Sequence, residues 1–582
     1  MTPGRQATDG LVLGPLVRYI DHDSATVWVE TEGTDTVTVV IGDRSWSART
    51  FAVHGHHYAL VVVDGLEPGT VSPYTVMLGV DEQRRQVWPP TRSTDLDLPP
   101  SVISTLTPDR PPRLAFGSCR TSVSHDHKGN RSHGVDSMRA YALAMAGITD
   151  PGERLRWPDR VVFLGDQVYA DETSTEMQEF ISSRRDIDEP PGKELKDYEE
   201  YAYLYWLAWN DPANRWLLST LPSTMIFDDH DIRDDWNTSV AWREQMEQTD
   251  WWHGRIVAGL ASYWVYQHIG NLSAEERAAD EIWQLLVAHE GDEELDLSDV
   301  LDRFADRVDR QPDSYRWSYS REINGSRLVI LDSRAARVLE HDERQMLDDS
   351  EMAWLDDQLT GDVDHLFIGT SLPFLLPPGL QHLESFSEAL AAGAWGRVGA
   401  RVGEKLRQGV DLEHWGAFQE SFRNVAEMVI EVAAGERGRP PRTVTFLSGD
   451  VHHSYVSEVT RLRRGDRRKL HSRVLQVVCS PIRNPLAHWM RFATAALSYG
   501  IAGVMGALAA RSTHVPAPPF RWKRVRGPWF DNNLATAEVT DTALELWWAR
   551  GEVSNGQHER PRLARVAEVH IDTPPETGRA AS

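Results

Sequence analysis

The stretch VVFLGDQVYADE, residues 161–172, decides how the chain is read. Its first four residues are apolar and suit a strand buried on both faces. Its second half then sets Asp166, Tyr169, Asp171 and Glu172 close together. Carboxylates this near one another repel and resist leaving water, so a buried strand that ends in them calls for a positive partner.

The same arrangement of apolar strand and polar tip recurs along the chain. RLAF runs into Gly117, Ser118, Cys119 and Arg120, and TMIF into Asp228, Asp229, His230 and Asp231. LVIL runs into Asp332, Ser333 and Arg334, and TVTFL into Ser448, Gly449, Asp450, Val451, His452 and His453. With HLFIG and LQVVC these strands alternate with long, often helical connections, the signature of an α/β or layered αββα domain. In open α/β sheets the carboxyl ends of the strands face one crevice, so the five tips are expected to meet. Asp, His, Tyr and Cys together are a metal-ligand inventory. Phenolate and thiolate favour a strongly polarising ion, and the surplus of carboxylates favours two or more metals sharing one of them.

Bulk properties narrow the classes. The chain has 582 residues, 41% hydrophobic, with 22 tryptophans, which fits an ordered protein of more than one domain. A formal net charge of −26 speaks against a nucleic-acid surface, while a metal can still hold a small phosphate locally. Cys119 and Cys479 allow at most one disulfide. The N-terminus MTPGRQATDGLVLGPLV shows neither an apolar core after a basic start nor twin arginines, which makes the cytoplasm the default and leaves export open. Residues 492–510, FATAALSYGIAGVMGALAA, are uncharged and just long enough for membrane contact. Their Ala and Gly content favours a helix covered by protein instead.

Upstream, ATVWVE, TVTVVIG, HYALVVVDGL and YTVMLGV read as a small β-sandwich. LEPGTVSPYTV, 66–76, resembles the tyrosine-corner region of fibronectin type III (Fn3) domains, with Tyr74 at the corner. Three PP pairs in 89–112 mark a linker. The expected division is an Fn3-like sandwich with linker over 1–105 and an α/β domain over 111–575, closed by the strands in ATAEVTDTALELWWAR and ARVAEVHIDT. Helical stretches at 197–220 and 240–310 are long enough to be lids over one face, and ELKDYEEYAYLYW and EGDEELDLSDV read as solvated helix faces.

The ordered blocks FGSCR (116–120), GDQVYADE (165–172), FDDHDIRDDW (227–236), LDSR (331–334) and SGDVHHS (448–454) resemble the alkaline phosphatase D (PhoD) branch of the metallophosphoesterases, from residue 111 to about 484. The resemblance implies an αββα sandwich that hydrolyses phosphate mono- or diesters, small or polymeric, by a metal-activated water. It implies that Cys119, Asp166, Tyr169 and His452 hold Fe3+. Asp166 would bridge to Ca2+, or to another divalent metal such as Mn2+ or Zn2+, and Asp229 and Asp450 would complete the metal set. His230 would contact the phosphate or leaving group. Arg120 is the candidate phosphate clamp, since guanidinium matches phosphate oxygens bidentately. Asp231, Asp332 and Arg334 are expected to support this set or touch substrate, while Asp228 is left as a cap. Asp229 stands where the wider superfamily has asparagine, and HLFIGTSLPF lacks a histidine that dinuclear relatives often carry; both departures fit the PhoD branch. Two alternatives stand beside this reading: a phosphodiesterase specialised for polymeric or lipid phosphates and, of a different class, a non-catalytic, metal-bearing binding protein.

Overall fold

The computed structural model describes residues 5–90, 95–150, 155–340, 344–391, 413–486 and 516–574. Two sheets form the body. The first has six strands in the order Ser223–Ile226, Arg160–Leu164, Arg113–Gly117, Leu534–Val539, Ala543–Glu552 and Arg562–Asp572. Its first three strands are parallel, and the C-terminal three add antiparallel. The second has seven, in the order Tyr319–Ile323, Ser326–Leu331, His365–Thr370, Thr443–Ser448, Arg473–Val478, Ser454–Leu462 and Phe520–Trp529. Ser326–Leu331, His365–Thr370, Thr443–Ser448 and Arg473–Val478 run parallel, flanked by antiparallel strands.

Strand periodicity sorts the second sheet's side chains onto two faces. Leu328, Ile330, Phe367, Leu447 and Leu475 join the core shared with Phe116, Val162 and Met225 of the first sheet. Val329, Leu331, Leu366, Ile368, Val444 and Phe446 join a separate core, into which helix Gln419–Ala434 inserts Phe422, Val425, Ala426, Val429 and Ile430 at helical spacing. Helix Ser137–Met145 covers the outer side of the first sheet, where Tyr141 stacks on Trp547 at 5.9 Å. The result is a mixed α/β body of two facing sheets with helices outside them.

The N-terminal residues form a five-stranded sheet, Leu11–Ile20, Ala25–Thr31, His56–Val63, Phe51–Val53 and Leu295–Asp296, and a four-stranded sheet, Arg44–Arg49, Thr36–Ile41, Thr75–Leu78 and Arg85–Trp88. Several expectations are corrected here. Tyr74 does not close a tyrosine corner: its hydroxyl donates to the carbonyl of Ser219, in the α/β body, at 2.7 Å. Leu295–Asp296, inside the tract read as a solvated helix face, pairs in parallel with Phe51 and Ala52. Most of ELKDYEEYAYLYW lies in helix Tyr198–Trp209, which is mostly buried. The stretch around it forms no lid but a wedge against the sandwich. Tyr266 lies 5.3 Å from Trp28, its hydroxyl is 3.0 Å from that of Tyr58, and Tyr198 donates to Tyr58 at 3.2 Å. The common cause is that the sandwich is not free-standing. Leu11–Ile20 is buried along almost its whole length instead of on alternate residues. The apolar stretch 492–510 lies outside the described residues, and no helix among those described is long and apolar enough to cross a membrane.

Arg18, on that first strand, is buried in the body. It donates to the carbonyls of Ser223 (3.2 Å), Tyr266 (2.7 Å) and Gln267 (2.6 Å) and to Asn271 Oδ1 (3.2 Å). Burial draws its pKa down to about 10, so it remains a cation at neutral pH. Arg18→Met leaves these acceptors buried and unpaired and is expected to cost about 3 kcal/mol of stability. Urea unfolding checks this, and a midpoint unchanged from that of the parent chain would show that the sandwich does not depend on this anchor.

Candidate metal centre

The loops after the parallel strands of both sheets meet at one end of the body. Two glycines permit the approach. A Cβ on Gly449 would fall 1.9 Å from Ser118 Oγ, and one on Gly165, whose φ is +96°, would fall 2.6 Å from Asp228 Cβ. Strain gathers in the same place. Cys119, Asp166, Asp450 and His452 hold φ of 57°, 50°, 61° and 48°, a region that side-chain-bearing residues seldom occupy. Backbone bonds fasten the loops: Asp450 N donates to Ser118 Oγ at 3.1 Å, and Arg120 N to the carbonyl of Asp166 at 2.9 Å.

Carboxylate oxygens of Asp166, Asp228, Asp229 and Asp450 all lie within 4.8 Å of one another. The first three of these residues are buried. Asp166 Oδ1 and Asp228 Oδ2 are buried and accept no hydrogen bond among the described residues. Arg334, fully buried, ion-pairs with Asp228 and Glu413 and lies 3.0 Å from Asp229 Oδ1. One guanidinium does not neutralise this many acids. Burial pushes the carboxyl of Asp228 up to about 8 against the pull of Arg334, and burial followed by the Asp228 charge drives Asp166 well above the carboxylate range. Buried oxygens without a donor and carboxyls raised chiefly by burial favour a cation among these acids, and the donor set fits hard metal ions.

A second group lies beside it. Cys119 Sγ is 3.3 Å from Asp166 Oδ2, and Tyr169 Oη is 3.4 Å from His452 Nε2. Burial, with Asp166 adding, raises both the Cys119 thiol and the Tyr169 phenol far above their usual values. Burial lowers His452 to about 4, leaving a neutral imidazole suited to ligation. His230 packs 4.7 Å from the Tyr169 ring, and its Nδ1 is 2.9 Å from both oxygens of Asp171. Burial opposes its charge, but Asp171 and Asp229 outweigh that and hold it protonated well above the usual histidine range. Its Nε2 is 4.0 Å from Asp234 Oδ1, and Asp229, His230 and Asp234 form a second group whose ligand atoms lie within 4.8 Å.

Asp231 holds the loops: its Oδ2 accepts from Asp166 N (2.9 Å) and Asp228 N (3.0 Å), and its Oδ1 from Gln267 Nε2 (3.1 Å). Asp332 accepts from the backbone of Arg334 (2.8 Å), Ala335 (2.9 Å) and Ala336 (3.1 Å), fixing the turn that aims Arg334. The phosphate-clamp expectation for Arg120 is corrected. Its Nε and Nη2 donate to Asp136 at 3.1 and 2.7 Å, and its Nη1 to the carbonyl of Ala208 at 2.6 Å. The side chain turns to the start of helix Ser137–Met145, where a buried carboxylate at the N-cap competes for it.

The sequence reading also missed members. Asp228, read as a cap, belongs to the four-carboxylate cluster. His414 contacts Asp450 Oδ2 through Nε2 at 2.9 Å and Glu384 Oε1 through Nδ1 at 2.7 Å, and Glu413 takes Arg334. Asp228 carried a signal, since it is the first polar residue after TMIF. Glu384, Glu413 and His414 carried none, because distant segments bring them in.

A family model described as PhoD-like phosphatase matches residues 138–488, more than half of the chain, and one described as a domain of unknown function (DUF7800) matches residues 8–103. The solved structure titled "Structure of PhoD" aligns over 99% of this chain and 92% of its own, with 13% identity and a TM-score of 0.55, a likeness of fold. A maltogenic amylase from S. marinus (8% identity, 99% of this chain and 84% of its own) and a cyclomaltodextrinase (10%, 94% and 91%) align with TM-scores of 0.15 and 0.14, too low to carry any argument. No curated protein matches the chain.

The charge pattern gives a pH dependence for metal-free protein. Asp228, Asp231 and Asp234, at about 8, 7 and 7, bind protons in the fold that the unfolded chain has released above 3.8. Burial is the main cause in each. The contribution of these carboxyls to stability therefore falls as pH rises from about 4 to about 8. His230 and His414, both raised, stabilise below 6.5, and that contribution is lost as pH climbs through their folded values, in the same direction. Asp171, lowered to about 2, acts oppositely in acid, and the neutral buried His125, His365, His452 and His453, lowered to about 4, act oppositely up to 6.5, so the fall stands clear only above about pH 7. EDTA-treated protein is expected to melt at progressively lower temperature from pH 7 to pH 9, and added divalent metal to flatten the trend. A melting temperature that rises across this range without metal would contradict the cluster's electrostatics.

Proposed function

The chain belongs to the PhoD-like phosphatase family, and we propose that it is a metal-dependent hydrolase of phosphate esters, mono- or diesters, working at the centre just described. The observation that carries the reading is the convergence of Asp166, Asp228, Asp229 and Asp450, whose oxygens lie within 4.8 Å, with orphaned buried oxygens on Asp166 and Asp228. In this reading Cys119, Asp166, Tyr169 and His452 would hold Fe3+. Asp166, with Asp228, Asp229 and Asp450, would also hold a second metal, Ca2+ or another divalent ion. Bound metals would supply charge for the phosphate oxygens and lower the pKa of the attacking water.

The chain's own groups account for the rest. Asp171 fixes His230 through Nδ1 and keeps it cationic, so its Nε2 can donate to a phosphate oxygen or to the departing alkoxide. His230 is only partly buried, whereas Asp166 and Cys119 are closed off from water, so substrate meets the imidazole first. Glu384 orients His414, which in turn fixes Asp450. Arg334 holds Asp228 and Asp229 in place from behind. The paired acid and histidine at the mouth favour turnover over a purely binding role. The expected domain division, an Fn3-like sandwich over 1–105 and the hydrolase over 111–575, belongs to the same reading.

The test is turnover of mono- and bis-p-nitrophenyl phosphate by EDTA-treated protein reloaded with Fe3+ and Ca2+. Activity should return with metal, and His230→Ala should lower kcat about 100-fold or more. Tyr169→Phe should remove the visible absorption of iron-loaded protein, and Asp228→Asn should lower both metal content and rate. Iron-free, colourless protein with full activity would overturn the ligand assignment, and absence of turnover with every metal would overturn the hydrolase.

A further inference from the structure

The chain has 87 acidic against 61 basic residues, yet one edge of the molecule is basic. Strand Phe520–Trp529, FRWKRVRGPW, ends the second sheet among the described residues and contains four cations and no acid. The hairpin beside it, RLRRGDRRK at 461–469, contains six cations and one acid. That acid, Asp466, is taken by Arg468, which also engages Glu427. Arg461, Arg463, Arg464, Arg521, Lys523 and Arg526 are all exposed.

Protection of an open sheet edge accounts for part of this composition, Lys523 and Pro528 included. It does not account for Arg461 lying directly opposite Arg521 in the antiparallel register, since like charges so placed destabilise a sheet unless an anion sits between them. The row also has a direction. The far end of the strand, Trp529, pairs with Ser454, two residues beyond His452. At about 3.3 Å per residue, Arg526, Lys523 and Arg521 stand roughly 10, 20 and 26 Å from Trp529, leading away from the metal centre.

We propose that this edge is a docking track for a linear polyanion with repeating phosphates, laid along Phe520–Trp529 and the 461–469 hairpin with one end at the metal centre. The proposal rests on the reading of that centre as a phosphoesterase. A body of net charge −26 repels such a polymer, so engaging it requires a local strip of the opposite sign.

The probe is fluorescently labelled long-chain inorganic polyphosphate, bound to the full chain in EDTA so that turnover plays no part. Arg464→Glu, Arg521→Glu and Lys523→Glu combined should weaken binding at least tenfold and flatten its salt dependence. Hydrolysis of bis-p-nitrophenyl phosphate by the metal-loaded variant should be unchanged. The corresponding triple Gln variant serves if charge reversal impairs folding, with the same direction expected. Equal binding by parent and variant would overturn the track. So would a parent chain that binds phosphatidylglycerol vesicles but not polyphosphate, which would make the edge a membrane surface. Binding that follows this pattern without any phosphoester turnover would uphold the track and remove the hydrolase reading instead.

Discussion

Arg334 is the group on which the arrangement of the centre turns. It rises from the second sheet and reaches Asp228 and Asp229, which come from the first, and Glu413, which comes from a segment just before helix Gln419–Ala434. A buried guanidinium between carboxylates is stable only when its donors are matched, and here they are distributed over three parts of the chain. The two sheets are thereby held at the separation that brings Asp166 and Asp450 together. Asp332 fixes the turn beneath Arg334 through three backbone bonds, so its direction is set by the fold rather than by the acids it meets. Because this one cation satisfies only part of the negative charge, the remaining demand is left for ions.

The parts of this that are local in sequence were legible, and the parts that depend on distant partners were not. RLAF, VVFL, TMIF, LVIL and TVTFL are apolar because both their faces are covered, and their polar tips are conspicuous for that reason. Arg120 and Arg334 look alike in sequence, each a cation within four residues of a strand end. What separates them is Asp136, the N-cap of a helix 16 residues further on, which draws Arg120 away from the crevice. Glu413 lies 79 residues from Arg334, and no local pattern announces the pair. The strands Tyr319–Ile323, Ser454–Leu462 and Phe520–Trp529 escaped notice for a related reason. They lie toward the sheet's edges, with charged residues among the apolar ones, and the last of them is basic along most of its length.

The N-terminal sandwich was legible as strands but not as a partner of the centre. Its aromatic contacts come from Tyr198, in a tract that reads as a solvated helix face, and from Tyr266, in a stretch that reads as a lid, and the tyrosine that resembled an internal corner bonds across to the body instead. These are interface features, and an interface is visible only when both surfaces are placed.

That interface reaches the metal centre through an unbroken line of buried hydrogen bonds. Arg18 of the sandwich holds the carbonyl of Gln267 at 2.6 Å, the side chain of Gln267 holds Asp231 at 3.1 Å, and Asp231 receives the backbone N–H groups of Asp166 and Asp228. Gln267 sits in a π-helical turn, Trp264–His268, whose wider hydrogen-bonding ring turns its carbonyl and its neighbour's toward Arg18. Each group in the line is buried, so none can exchange its partner for water without loss. The φ of 50° at Asp166 is an unfavourable conformation that must be held from outside the loop, and Asp231 is the residue that holds it. Through Gln267, the sandwich therefore takes part in holding the Asp166 carboxylate in the four-acid cluster.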